Sequence, residues 1–430
     1  MNPWRWGVWS RAFNWLLSQL RFGAGPIPTW RPYHQVGSSR CPTAFLVVGG
    51  LSANGAESNR QLSRTLHRAW SEAHTWSRNL SGHTGRFIDF SGSRFWHWIG
   101  DAVSTLRKLT FRHKKQDIVL IGHSTGGLVV LAVALLFRLW PRWFVPPDQT
   151  VRIRAVLIFP PFRLKRKRDA RLLGLVAILY YVISPAAFIL LALSGPWMWP
   201  LSLLAFLCHI LFVPQIWVPN GDERASAAAA PVARKSGERR RWIEMPEGLV
   251  LALACIYFVA APPLIALGGK LMPGVWINGV FALFIATLLI PLFLIPREFE
   301  SKPAIGGGRS SGYRWLPVIT AANMLLLQQL LRPFLGWIRC PLLVLEGELD
   351  HVVRIDPSWL RAFGSTELTT ELLPGFPHSS LSRSQQEALA HRIVEWCQSG
   401  SAAPVVECRF DRPDDAVSCE LPTSGGEQPG

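Results

Sequence analysis

The residues best suited to chemistry lie in the run DIVLIGHSTGGLVVLAVAL, where Ser124 is the centre of a G-x-S-x-G pattern. By itself the pattern is weak, since roughly one chain in ten of this length holds one by chance at ordinary Gly and Ser frequencies. Its context is more specific. Residues 118–122 read as an apolar strand, and a strongly apolar helix begins directly after Ser124. Small residues at 122, 126 and 127 permit the tight strand-to-helix turn that lifts a serine Oγ off the end of a sheet. A serine hydroxyl is a poor nucleophile until a base takes its proton, so a histidine and an orienting acid are required.

Both occur downstream in the order Ser, Asp, His. Asp350 ends PLLVLEGELD just past a buried strand, and His378 sits in LLPGFPHSS, past the next strand and before the last helix. Parallel strands deliver their carboxyl ends to one rim, so three residues far apart in sequence can meet there. Glu348 and Asp356 are alternative acids, although Asp356 also reads as a helix cap. An oxyanion site needs two backbone N–H groups aimed at one point. Thr125, following the nucleophile, and Leu51, in the turn VVGGLSANG, are the positions expected to supply them.

These residues require an α/β framework to position them, and the chain between residues 43 and 162 reads as one. TAFLVVGG is a short buried strand, residues 57–70 a helix, RFIDF a short strand and residues 95–109 a helix. The nucleophile strand and helix follow, then the strand VRIRAVLIF. Strands alternating with helices imply a mostly parallel sheet covered on both faces. The alternation resumes after residue 312. VITAANMLLLQQLLRPFLGW reads as a helix, PLLVLEG as a strand and DPSWLRAFG as a short helix. TELTTELL then reads as a strand and SRSQQEALAHRIVEWCQ as a closing helix. Residues 43–162 and 313–399 are therefore expected to build one core, with residues 163–312 inserted.

The insertion has a different character. Between Arg171 and Asp222 there is no Asp, Glu, Lys or Arg, and a second apolar block runs from Leu249 to Pro296. Each block divides near its middle into halves of roughly 20 residues, the length that crosses about 30 Å of bilayer. The expectation is two transmembrane hairpins, 172–218 and 249–296, with a soluble hydrophobic cap as the alternative. Cationic segments such as RLKRKRDAR flank the blocks, and positive-inside bias puts them, with both termini, in the cytoplasm. In residues 1–42, Trp6, Trp9, Phe13, Leu16, Leu17 and Leu20 recur at helical spacing beside Arg5, Arg11 and Arg21. That pattern suits an amphipathic helix at a membrane interface. SKPAIGGGRSSG reads as a linker, and residues 400–430 as a flexible tail.

Composition agrees with this division. Of 430 residues, 49% are hydrophobic and only 17% charged, which excludes disorder as the main state. The net charge of +17 suits anionic lipid headgroups as partners. Nucleic acid is excluded as a partner, because the cations flank apolar blocks rather than forming a stripe with aromatic platforms. Seven cysteines without a CxxC offer neither a zinc pattern nor a secreted disulfide framework, and a reduced compartment is expected. Oligomeric state is not legible.

The motifs GHSTGG, ELDHVV and PGFPHS together resemble the α/β-hydrolase superfamily, within it the bacterial carboxylesterases and monoacylglycerol lipases. The resemblance covers residues 43–162 and 313–398, with the insertion at the cap position. It implies an α/β-hydrolase sheet, a serine hydrolase using Ser124, Asp350 and His378, and no metal or organic cofactor. In that family the first strand usually ends in His-Gly, whereas this chain has Gly49-Gly50-Leu51. Their GHG loop is matched only in part by Gly82-His83-Thr84, while Trp96, Trp98 and Asp101 look like their tryptophan-rich helix. The family reading with the apolar blocks gives a membrane-associated esterase or lipase acting on membrane lipid or other apolar acyl esters. Its location would be the bacterial inner membrane, with the hydrolase domain facing the cytoplasm. An amide or peptide hydrolase, or a membrane scaffold without catalysis, are the alternatives.

Overall fold

The computed structural model describes residues 33–37, 40–50, 55–78, 80–82, 93–164, 315–365, 367–378 and 381–399. Isolated positions at 174, 186, 189 and 217–219 are also described. The first half of the core contains β1 (Tyr33–Val36), β2 (Thr43–Val48), α1 (Gly55–Ala69), β3 (His74–Arg78) and α2 (Phe95–Arg107). Then come β4 (Asp117–His123), α3 (Thr125–Leu139), β5 (Arg152–Ile158) and the short β6 (Arg163–Leu164). After β7 (Trp217–Pro219) and β8 (Trp315–Pro317) follow α4 (Val318–Leu331), β9 (Leu342–Gly347) and β10 (Val353–Arg354). The chain of elements closes with α5 (Pro357–Ala362), β11 (Leu368–Leu373) and α6 (Arg383–Ser399).

Seven strands form the main sheet in the order β1-β3-β2-β4-β5-β9-β11. All neighbours are parallel except the β1–β3 pair at the edge. Successive side chains of a strand point to opposite faces, and the core splits accordingly. Leu46, Leu120, Leu157 and Val344 join one buried cluster with residues of α2, α3 and α4. Val47, Ile121, Ile158 and Leu345 join a second with Leu66 of α1 and Ile393 of α6. Because both faces are covered, β2, β4, β5 and β9 read as continuous apolar runs instead of alternating ones. The expected mostly parallel sheet, with a region inserted between β5 and β9, is present.

The insertion interrupts the chain between β5 and β9, which nevertheless pair side by side, Ala155 opposite Leu342 through Ile158 opposite Leu345. Two small antiparallel pairs mark its borders. β6 pairs with β10, and β7 with β8, so that Trp217–Pro219 and Trp315–Pro317 lie next to each other.

The membrane expectation is corrected. Among the described residues no helix is long and apolar enough to cross a membrane. The strongly apolar α3 has 15 residues, about 22 Å at 1.5 Å per residue against roughly 30 Å of bilayer core. It is apolar all round because it is buried against the sheet and its neighbouring helices. The hairpins expected at 172–218 and 249–296 fall almost wholly outside the described residues, as do the interfacial helix in residues 1–42 and the tail 400–430. Membrane lipid as substrate, anionic headgroups as partners and the inner-membrane location are corrected with the spans. They rested on apolar blocks with halves of span length flanked by cationic segments, and apolar length by itself also suits elements buried in protein.

Two strands are absent from the sequence reading. β1 joins the sheet from upstream of residue 43, and β3, HTWSR, lies between β1 and β2. The short strand expected at RFIDF lies outside the described residues. The long helix expected at 318–337 ends at Leu331 and continues as a 3₁₀ turn over Arg332–Trp337, where Pro333 lacks the N–H an α-helix needs.

Candidate active site

Ser124 stands between the end of β4 and the start of α3 with φ 52° and ψ −124°. A residue other than glycine rarely adopts positive φ, and its cost of about 1–3 kcal/mol must be met by the surrounding packing. That packing is visible in the glycines. A Cβ on Gly122 would lie 2.4 Å from the Gly126 carbonyl oxygen, and one on Gly126 only 2.3 Å from the Val48 oxygen. The helix therefore starts pressed against the ends of β2 and β4. Gly127 differs: a Cβ there meets nothing nearer than Pro160 at 3.4 Å. Of the three small residues singled out in the sequence, two are required by close approach.

The three sequence-predicted side chains meet at the carboxyl rim of the sheet. Ser124 Oγ lies 3.1 Å from His378 Nε2, and His378 Nδ1 lies 2.7 Å from Asp350 Oδ2. All three are buried, with relative exposures of 9%, 5% and 1% respectively. An ionised carboxylate only accepts, so His378 carries its proton on Nδ1, leaving Nε2 to receive the Ser124 O–H. Asp350 Oδ1 accepts the N–H groups of Val352 and Val353 at 2.8 and 3.0 Å. Burial pushes the Asp350 carboxyl up, yet the hydrogen bond and charge of His378 and those two N–H donors together outweigh it. The net result is a carboxyl held below its ordinary value, and hence ionised at neutral pH.

These contacts are those of a serine-hydrolase-type site. The alternative acids are engaged elsewhere: Glu348 accepts the Gly375 N–H at 2.9 Å, and Asp356 caps α5 by accepting from Ser358 N at 2.9 Å. Thr125 is the first residue of α3, with its backbone at the helix N-terminus beside the nucleophile. Leu51 lies outside the described residues. The turn that precedes it is close by, since a Cβ on Gly50 would sit 2.9 Å from Ser124 Cβ. No group of three or more His, Cys, Asp and Glu residues suited to a metal ion occurs among the described residues.

Behind the site, α2 anchors the end of β3. Asp101 Oδ1 accepts from Arg78 at 2.5 Å, while Oδ2 accepts both the Ser81 N–H and hydroxyl at 2.6 Å. The Trp98 indole N–H donates to the Ser81 carbonyl at 3.2 Å. Trp98 and Asp101 therefore act through the scaffold, and His83 and Thr84 lie outside the described residues.

Two residues beside the triad carry no mark in the sequence reading. His123 was only the variable position of the motif, yet its Nε2 lies 3.1 Å from the His378 carbonyl oxygen. Phe159, directly after β5, has φ 49°, and its ring centroid lies 6.2 Å from that of His378. No periodicity or motif announces a phenylalanine with positive φ.

No family model matches the chain, and no curated protein matches it. Solved structures resemble it at low identity. One, reported with the metagenome-derived lipolytic enzymes LipS and LipT, is 14% identical with a TM-score of 0.47, covering 87% of this chain and 99% of that one. The monoacylglycerol lipase of Paleococcus ferrophilus is 13% identical with a TM-score of 0.45, over 86% and 98% of the two chains. A soluble variant of the monoglyceride lipase of Saccharomyces cerevisiae is 12% identical with a TM-score of 0.43, over 86% and 92%. Likenesses of this degree carry no assignment of substrate, and the chemistry of the site rests on its own residues.

Proposed function

We propose that this protein is a serine hydrolase that cleaves carboxylic esters of apolar acyl groups through an acyl-enzyme on Ser124. The observation that carries the reading is the unbroken hydrogen-bond chain from Ser124 Oγ through both His378 nitrogens to the buried Asp350 carboxylate. Ser124 Oγ attacks the ester carbonyl carbon while His378 Nε2 takes the hydroxyl proton. Asp350 holds the imidazole in the required tautomer and stabilises the imidazolium that forms. The oxyanion is received by the backbone N–H groups of Thr125 and Leu51. Collapse of the tetrahedral species breaks the C–O bond, and His378 returns its proton to the leaving alkoxide. Water, deprotonated by His378, then attacks the acyl-enzyme and releases the carboxylic acid and Ser124.

Residues 43–162 and 313–399, with β1 added at the sheet edge, form the hydrolase unit in this reading, and residues 163–312 are its insertion at the cap position. The pairing of β5 with β9 across that insertion supports the division. The test uses purified full-length protein, a fluorophosphonate probe and p-nitrophenyl esters of graded acyl length, with p-nitroanilides as the amide comparison. Covalent labelling and ester hydrolysis are expected, both lost in Ser124→Ala. Full turnover by Ser124→Ala would sink the reading, and preference for the anilides would reassign the bond cleaved.

A further inference from the structure

The imidazole of His378 has to stand between two partners, and the loop that carries it is tied down at several points. Upstream, Gly375 donates its N–H to Glu348 at 2.9 Å, its carbonyl accepts from Gln385, and the Phe376 carbonyl accepts the Leu349 N–H at 3.0 Å. At His378 itself the backbone carbonyl lies 3.1 Å from His123 Nε2. A carbonyl only accepts, so His123 carries a proton on Nε2 and donates it. The other side of the same ring faces the first glycine turn, since a Cβ on Gly50 would lie 3.2 Å from His123 Nδ1. Phe159 closes a further side, with its ring centroid 5.8 Å from that of His123 in an edge-on arrangement. Its unusual backbone is held by its N–H, which donates to the Leu345 carbonyl at 2.9 Å. His123 thus touches the nucleophile turn by covalent connection, the histidine loop by hydrogen bond and the Gly49-Gly50 turn by contact.

We propose that His123 is the positioning residue of the reaction: its Nε2–H fixes the His378 carbonyl, and so the distance of the His378 imidazole from Ser124 Oγ. The inference rests on the proposed hydrolase reading. It makes the residue before the nucleophile a strut between the base and the nucleophile, and a donor at the place of Nε2 its essential feature. Displacing a reacting group by about 1 Å costs on the order of 100-fold in rate.

Two variants separate the donor from the ring. His123→Phe keeps an aromatic ring without a donor, and His123→Gln keeps an N–H close to the Nε2 position. Each is compared with wild type in p-nitrophenyl ester hydrolysis, fluorophosphonate labelling rate and thermal unfolding. His123→Phe should lose about 10- to 100-fold in kcat, with KM within roughly twofold, and label correspondingly slowly. His123→Gln should return to within about fivefold of wild type. Wild-type kcat in His123→Phe, or an equal loss in both variants, would overturn the positioning role while leaving the hydrolase reading intact. A loss in His123→Phe explained by unfolding, with His123→Gln stable but just as slow, would overturn it as well. An inert, unlabelled wild-type protein would overturn both.

Discussion

Ser124 carries two kinds of constraint that meet in one residue: a backbone at φ 52° and a hydroxyl 3.1 Å from an imidazole. Neither is useful without Asp350, whose second oxygen is already occupied by the N–H groups of Val352 and Val353. That occupation leaves Oδ2 as the oxygen for His378 and fixes the direction from which the imidazole is held. Asp350→Asn should keep the fold, since an amide oxygen can still accept from those N–H groups. It should lower kcat by roughly 10⁴-fold, the loss known for the corresponding change in the protease triad, because an amide facing Nδ1 favours the wrong tautomer. Steady-state ester hydrolysis and circular dichroism would check the two halves of that expectation. Ser124, Asp350 and His378 were legible because each ends a predicted strand. His123 was not legible, because its role depends on a carbonyl 255 positions away.

At the scale of elements, the junction of β2, β4 and α3 decides whether the nucleophile turn exists. Gly126→Ala would drive a methyl into the Val48 and Gly49 carbonyl oxygens, 2.3 and 2.7 Å from its Cβ. The backbone cannot yield there without moving Ser124, so a loss of about 3 kcal/mol or more, together with loss of labelling, is expected. Gly127→Ala, one residue on, meets only ordinary contact with Pro160. It should be neutral or stabilising by up to about 1 kcal/mol, the helix preference of alanine over glycine. Urea denaturation of the two variants compares them directly, and equal destabilisation would refute the account of the turn. The sequence offers both glycines as small residues of one turn, and only their neighbours show that the first is required and the second is not. β3 is the reverse case. HTWSR looks like a loop, yet His74, Thr75, Trp76 and Ser77 are all buried in it. Its end is held by the Asp101–Arg78 pair, and Asp101→Ala, which leaves a partly buried arginine and the buried Ser81 donors without their acceptor, should cost about 3 kcal/mol.

At the scale of the whole molecule, the rim opposite the triad holds a cluster of bases. His74 packs edge-on against His113 at 5.7 Å between centroids, Trp76 lies 4.9 Å from His113, and buried Lys115 donates to the Cys41 carbonyl. Burial lowers the His74 pKa to about 4, assisted by the charges of Lys115, His113 and His67. The Trp76 indole N–H, 2.9 Å from His74 Nε2, also needs an unprotonated ring as acceptor. The folded protein therefore keeps His74 neutral, while the unfolded chain protonates it near pH 6.5. Above 6.5 neither state holds the proton, and its contribution to stability is complete. As the pH falls from about 6.5 toward 4 the unfolded state gains protons that the folded state refuses, and stability declines. Thermal unfolding of wild type and His74→Gln across that range should show a shallower acid decline in the variant; parallel curves would refute the assignment.

The sequence by itself determined the alternation of strands and helices and the order in which Ser124, Asp350 and His378 follow the ends of strands. Those features are encoded locally, in apolar runs, in glycines at a turn and in residues at strand ends. Tertiary structure decided what local pattern does not contain. It drew the polar β3 into the sheet beside β2, and β1 beside β3, because that pairing satisfies their backbone groups whatever their side chains suggest. It placed Asp350 beside His378, while Glu348 and Asp356 accept backbone N–H groups of Gly375 and Ser358. It also decided where the apolar helix after Ser124 lies, buried against the sheet and its neighbouring helices. Hydrophobicity specifies removal from water, and only the neighbours specify what replaces the water.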